Sequence, residues 1–321
     1  MLDSKKLAKM DIKNEDEANK ALDKIRKSSF NITKISTKRV KRNPLPPFTT
    51  STLQQEASRK LGIGAKNTMR IAQSLYEGIE INGETVGLIT YMRTDSVNLS
   101  DSATQQIRVM IQNKYGDKYV PESPNKFNKK STNAQEAHEA IRPTDISKLP
   151  EDIKSFLDER QRLLYELIWK RTMASQMAHA TIDSVAVDMS CGDGNVFRAN
   201  GSSIADPGFM QVYLEGVDDK DSSEDDEKML PQLKEGDKVK LKQIRNEQHF
   251  TEPPPRYSEA SLVKSLEEYG IGRPSTYANI IQTLRNREYV EVENKRFHPT
   301  DVGKLVNNFL TVHFSDYVDY D

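Results

Sequence analysis

Thr90-Tyr-Met-Arg-Thr-Asp-Ser96 closes an apolar run that starts at Val86, and that run reads as a strand carrying a reactive group at its end. On an extended backbone residues i and i+2 share a face. Tyr91 and Arg93 therefore project together, a phenol beside a guanidinium. The pairing suits attack on a phosphodiester. A phenol ionises at about pH 10 and is a weak nucleophile until it loses its proton. A neighbouring cation favours the phenolate, and a planar guanidinium holds two phosphate oxygens as charge grows on them. Asp95 and Ser96 are placed to orient the arginine or to cap the local backbone. The chain holds 12 tyrosines, and most tyrosines near a strand end simply pack. Spacing alone leaves Tyr91 one candidate among several.

Upstream of this run, Asn82-Gly83 predicts a tight hairpin turn, because both residues tolerate positive φ. Before it the pattern is helical from Thr50, with Met69, Ala72, Leu75, Tyr76 and Ile79 as one apolar stripe. Residues 13–27 predict a short helix on Ala18, Ala21, Leu22 and Ile25. Phe30–Val40 alternates as a strand, and Asn43-Pro-Leu-Pro-Pro47 stops it. Downstream, Ser100 caps a helix with Ile107, Met110 and Ile111 inward and Gly116 as its stop. Residues 117–150 are polar and broken by proline. Helix resumes over 151–178, where Leu163, Leu164, Leu167, Ile168 and Trp169 supply core. Strand character returns at Ile182–Met189, Val196–Ala199, Phe209–Leu214 and Lys238–Ile244.

The expected fold is therefore α+β and multidomain. A β-rich arch (1–50 with 179–250) carries an inserted, mostly helical domain (51–178) that holds Tyr91. The remainder, 251–321, has its own pattern. A helix over Ser258–Tyr269 is followed by the turn Gly270-Ile-Gly-Arg-Pro-Ser275, with Pro274 suited to the first position of the next helix. That helix puts Tyr277, Ile280, Ile281 and Leu284 on one side. A hairpin across Glu293-Asn-Lys295 and a last helix capped by Thr300 complete the order of a winged helix. Such modules bind DNA or serve only as packing units.

Composition narrows the class. With 47 basic and 48 acidic residues the net charge is −1, but the charge is uneven. Residues 217–227 hold seven acids and one lysine, while Asn31–Arg42 holds five basic residues and no acid. Patches of opposite sign suit either solvated surface or a nucleic-acid partner. No apolar run approaches the roughly 20 residues of a membrane span, and the first residues lack the apolar core of a signal peptide. Cys191 is the only cysteine, which excludes an internal disulfide framework and a cysteine zinc site. A cytoplasmic setting without membrane contact is expected.

Four motifs, in order, carry a family resemblance. Tyr91-Met-Arg-Thr-Asp-Ser96 is similar to the active-site motif of type IA DNA topoisomerases. Pro47-Phe-Thr-Thr-Ser-Thr-Leu-Gln-Gln-Glu-Ala57, Glu136-Ala-His-Glu-Ala-Ile-Arg-Pro-Thr144 and Gly270-Ile-Gly-Arg-Pro-Ser-Thr-Tyr277 resemble further patterns of the bacterial enzymes. The resemblance extends over essentially the whole chain. It implies part of a toroidal, ATP-independent isomerase that relaxes negatively supercoiled DNA. One strand is cut through a 5′-phosphotyrosine link, another passes, and the cut is resealed. It implies Tyr91 as nucleophile, Arg93 on the scissile phosphate, and His138 supporting catalysis or DNA binding. Asp95, Ser96, Arg142, Arg273, Ser275, Thr276 and Arg287 are the further expected DNA contacts. The expected partner is single-stranded or underwound DNA, bound by a monomer.

The departures matter as much. The family's acidic TOPRIM domain, which supplies Mg²⁺ ligands and a catalytic glutamate, has no counterpart before Tyr91. The Gly-Arg-Val-Gln segment of the family's fourth domain and the cysteine-rich tail of many bacterial members are also missing. The expectation is a central piece of a longer enzyme, inactive by itself and without Mg²⁺ ligands of its own. Three other readings exist. A winged-helix regulator leaves about 250 residues unexplained. A tyrosine recombinase, suggested by His138 and Arg142, has its tyrosine after those residues instead of before them. A structural clamp would have interdomain motion as its only property.

Overall fold

The computed structural model describes residues 1–8, 10–127, 139–192, 194–216, 231 and 233–318. Their order is α1 (Glu15–Arg26), β1 (Phe30–Arg42), α2 (Thr50–Leu61), α3 (Ala65–Glu77), β2 (Ile79–Ile81), β3 (Glu84–Val86), α4 (Asp101–Tyr115), α5 (Pro150–Ile153) and α6 (Glu159–Ser175). There follow β4 (Ala180–Cys191), β5 (Val196–Asp206), β6 (Lys238–Val239), α7 (Glu259–Glu268), α8 (Tyr277–Asn286), β7 (Val290–Glu293), β8 (Arg296–Pro299), α9 (Asp301–His313) and α10 (Ser315–Val318). None of the described helices is long and apolar enough to cross a membrane.

Contacts divide the chain into two units. The first gathers the described parts of residues 1–42, 180–207 and 219–254. Its sheet is antiparallel, in the order β5-β4-β1-β6. Helix α1 starts on Asn14, whose side chain accepts the Glu17 amide at 2.9 Å, and carries acids in its first turn and Lys24 and Arg26 in its last. Both arrangements oppose the charge of the helix ends. Ile25, Phe30 and Cys191 form the core, with Leu2, Val239, Leu241 and Ile244 against it. The basic run of β1 is partly neutralised in place: Arg39 lies opposite Asp183 of β4 and donates to both its oxygens at 2.8 and 3.0 Å.

Three strand expectations are corrected here. Val196–Ala199 extends to Asp206, and Lys238–Ile244 shortens to Lys238–Val239. Phe209–Leu214 is no strand at all. Gly208–Gln211 is a 3₁₀ turn that packs with the second unit. Gly208 sits at φ +48, where a Cβ would come within 2.3 Å of the His179 carbonyl oxygen, so the turn requires glycine at this position.

The second unit contains residues 43–179, 208–216 and 255–318. Phe48, Leu53, Leu75, Leu88, Ile89, Met92, Ile107, Ile111, Ile141, Leu164 and Tyr165 are fully buried in it. Residues 255–318, expected above as a module of their own, pack on α2 and α3. Ala65 of α3 shares a core with Val263, Leu266, Tyr277, Ile281 and Phe297. The element order in this segment is helix, turn, helix, hairpin, helix, as read from the sequence.

A buried ionic group ties residues 208–216 to α2 within this unit. Glu56 is fully buried, accepts from the Tyr213 hydroxyl and from the Gly216 amide at 3.1 Å, and pairs with Arg59 at 3.4 Å. Arg171, also buried, donates to the Pro46 carbonyl at 2.7 Å and lies over the rings of Phe48 and Tyr213.

Candidate active site

The loop bearing Tyr91 is held by hydrogen bonds from three directions. Strand β3 ends at Val86, so the expected strand over Val86–Met92 is corrected to an irregular segment that bends at Thr90 and Met92. Its one bridge is Ile89 to Pro143. The bridge is closed by the Thr90 amide donating to the Arg142 carbonyl (2.9 Å) and the Thr144 amide donating to the Leu88 carbonyl (3.0 Å). The Leu88 amide donates in the other direction, to the Leu75 carbonyl at the end of α3 (2.7 Å). The N-terminus of α2 holds the other side. Thr50 donates through its hydroxyl to the Met92 carbonyl at 2.6 Å, accepts the Thr94 amide at 2.9 Å, and donates its own amide to the Thr94 carbonyl at 2.9 Å. The preceding Thr49 starts the helix in a capping box with Thr52.

This scaffold keeps the period-two alternation without a regular strand. Met92, Thr94 and Ser96 point inward and are buried; Tyr91 and Arg93 are exposed, and both line one cleft of about 600 Å³. Lys66, Met69, Arg70, Gln73, Ser74 and Glu77 of α3 form one wall. Pro274, Ser275, Ala278 and Asn279, at the start of α8, form the other. The expected stripe on α3 is corrected accordingly. The buried side is Ala65, Thr68, Ile71, Ala72 and Leu75, while Met69 faces the cleft and Tyr76 packs edge-on against Tyr91 with ring centroids 5.3 Å apart. Arg93 makes no hydrogen bond or ion pair with any described residue, which leaves its guanidinium available to an anion in the cleft.

The sequence profile described as DNA topoisomerase matches residues 2–321. The chain belongs to the bacterial DNA topoisomerase family. It is 53% identical over 325 aligned positions to DNA topoisomerase 1 of Xylella fastidiosa (strain Temecula1 / ATCC 700964), covering all of this chain and 40% of that protein. It is 54% identical over 321 positions to DNA topoisomerase 1 of Rickettsia bellii (strain RML369-C), again covering 40% of that protein. The solved full-length topoisomerase I of Thermotoga maritima superposes with a TM-score of 0.81 at 36% identity, covering 94% of this chain and 48% of that one. The chain thus spans about 40% of the length of the curated relatives it matches.

In this member of the family the other expected site residues fall into distinct settings. His138 lies outside the described residues. Arg142 is committed to local structure. It donates to Glu139 at 2.7 Å and to the Pro143 carbonyl at 2.9 Å, with its side chain only 15% exposed. Burial pushes the Glu139 carboxyl up, but Arg142 and the amide and hydroxyl of Ser100 outweigh it and hold the group below its usual range. Ser96 is buried and accepts the Asn98 amide at 3.1 Å. Thr276 likewise closes its own turn, accepting the Arg273 amide at 2.8 Å. Ser275 opens into the cleft beside Tyr91. Arg273 is exposed and donates to the Gly272 carbonyl at 2.7 Å, and Arg287 is exposed at the end of α8. Asp95 is partly buried, and its charge acts on Tyr277 of α8. Burial, Glu267 and Asp95 together push that phenol up to about 12, against the opposing pull of Arg273.

Sequence reasoning missed Thr50, Tyr76, Lys66 and Arg70. Thr50 stood inside a motif noted only as a pattern, and the other three are placed by helix faces that meet the loop in space. Among the described residues no three His, Cys, Asp or Glu side chains converge to hold a metal ion. The acidic run 217–227 lies outside the described residues.

Proposed function

We propose that these residues form the strand-cutting part of a type IA DNA topoisomerase, with Tyr91 as the nucleophile and Arg93 on the scissile phosphate. The observation that supports this reading is their shared exposure in one cleft, across a buried Met92. The phenolic oxygen forms a bond to phosphorus, and the bond from phosphorus to the 3′ oxygen breaks. The phenol's proton leaves to a base, and the 3′ oxygen takes up a proton. The products are a 5′-phosphotyrosine and a free 3′ hydroxyl, and resealing is the reverse. Arg93 binds the two non-bridging oxygens as their charge grows. The substrate is single-stranded or underwound DNA, since a strand must leave its duplex to reach a tyrosine within a cleft. The proton donor for the leaving oxygen belongs to the acidic domain that the family resemblance implies. These residues alone therefore form no adduct, and His138 keeps a supporting role.

The test is Tyr91→Phe in a protein of the relatives' length. Denaturing an incubation with labelled single-stranded DNA traps protein-linked label from the parent and none from the variant, at unchanged thermal stability. Adduct persisting in the variant overturns the assignment.

A further inference from the structure

The cleft beside Tyr91 is larger than one phosphate requires, and its α3 wall is basic. Lys66, Arg70, Gln73 and Glu77 follow one another at spacings of four, three and four, which sets them on one face of the helix. All four line the cleft. Glu77 accepts from the Gln73 amide group, so the one acid of the row is already engaged. Lys66 and Arg70 are exposed, and their side chains make no hydrogen bond or ion pair with any described residue. Cations on a solvated helix commonly sit opposite an acid one turn away, as Lys170 does with Glu166 at 2.6 Å. Here the row offers two cations, with Ser275 and Asn279 on the wall across from them. Tyr76, whose ring touches Tyr91, marks the level of the scissile phosphate on α3. At 1.5 Å per residue, Arg70 and Lys66 lie about 9 and 15 Å along the helix from that level.

We propose that Lys66 and Arg70 bind consecutive backbone phosphates of a single DNA strand, further along the same strand that Tyr91 and Arg93 engage. The inference rests on the reading of Tyr91 and Arg93 given above. The site takes phosphates and ignores base identity, because a lysine and an arginine on a helix face present charge and no fixed pattern toward base edges. It holds the strand in register with Tyr91 before the cut.

The experiment measures binding of the 321-residue chain to labelled oligothymidylate by fluorescence anisotropy across a salt series. The double variant Lys66→Gln, Arg70→Gln is expected to bind more weakly. Its dependence of log Kobs on log salt becomes shallower by about 1.4, twice the roughly 0.7 per phosphate of a single strand. Lys154→Gln with Lys170→Gln, cations outside the cleft, is expected to leave the slope unchanged; an equal loss there overturns the proposal in favour of diffuse charge. If the double variant keeps the wild-type slope while Arg93→Gln lowers it by about 0.7, the cleft reading stands and the α3 track falls. If neither variant changes the slope, or the chain binds no oligothymidylate at low salt, both fall.

Discussion

The ring of Tyr76 packs edge-on against that of Tyr91, centroids 5.3 Å apart and planes inclined by 65°. Tyr76 belongs to the last turn of α3, whose Leu75 is fully buried and accepts the Leu88 amide at 2.7 Å. The nucleophile candidate thus leans on a rigid helix although its own backbone is irregular. An aromatic pair of this geometry contributes about 0.5–1.5 kcal/mol beyond area burial. In the longer enzyme, Tyr76→Ala is expected to slow adduct formation by about tenfold, within the roughly hundredfold that a 1 Å misplacement costs. Tyr76→Phe keeps the ring and is expected to restore the rate. An alanine variant that cleaves at the parental rate would show the contact to be incidental.

Glu56 accepts from Tyr213 and the Gly216 amide and pairs with Arg59, so it ties residues 208–216 to α2. Glu56→Ala strands these partners and is expected to cost about 3–5 kcal/mol in chemical denaturation, as for breaking one side of a buried ion pair. Tyr213→Phe removes one hydrogen bond and should cost less, about 1–3 kcal/mol. Equal losses in the two variants would mean that packing, not charge, holds the segment.

The carboxylate of Glu259, in the first turn of α7, accepts the Ala65 amide at 2.8 Å and so caps α3 from another helix. Gly64 makes this possible, since a Cβ there would lie 2.6 Å from the same carboxylate oxygen. Glu259→Ala is expected to lose about 0.5–2 kcal/mol, the usual worth of an N-terminal cap. Gly64→Ala should displace the same carboxylate, so the two losses overlap in a double variant instead of adding. Strict additivity in denaturation midpoints would separate the two effects and defeat this account.

Tyr277 has its ionisation raised to about 12 by burial, Glu267 and Asp95. The fold therefore favours the neutral phenol over the ionised one. The corresponding stability is fully present below the unfolded value of about 10 and is lost as pH rises through about 12. Burial raises Tyr165 and Tyr213 in the same direction. Stability measured by denaturant midpoint should fall between about pH 10 and pH 12, and Tyr277→Phe should make that fall shallower. An alkaline limb identical in parent and variant would place the titration elsewhere.

Local patterns were enough to read several elements and one geometric relation. Ser100 and Gly116 bound α4 as their chemistry demands, and Asn82 and Gly83 take the positive φ values of a hairpin turn. The alternation read at 91–96 put Tyr91 and Arg93 on one side and Met92 on the other, and the exposure of the three residues follows it. It did not require the strand that was expected there. What holds that backbone is tertiary: Thr50, 42 residues from Met92, and the Leu75 carbonyl take polar groups beyond the single bridge at Ile89 and Pro143. The same distinction separates the arginines. Arg93 and Arg142 look alike as basic residues in motifs, yet Arg142 is held by Glu139 and Pro143 while Arg93 opens into the cleft. Lys66 and Arg70 lie more than twenty residues before Arg93. Only the packing of α3 against the loop and α8 brings their charge to Tyr91, since periodicity shows which residues share a helix face and not what that face will meet.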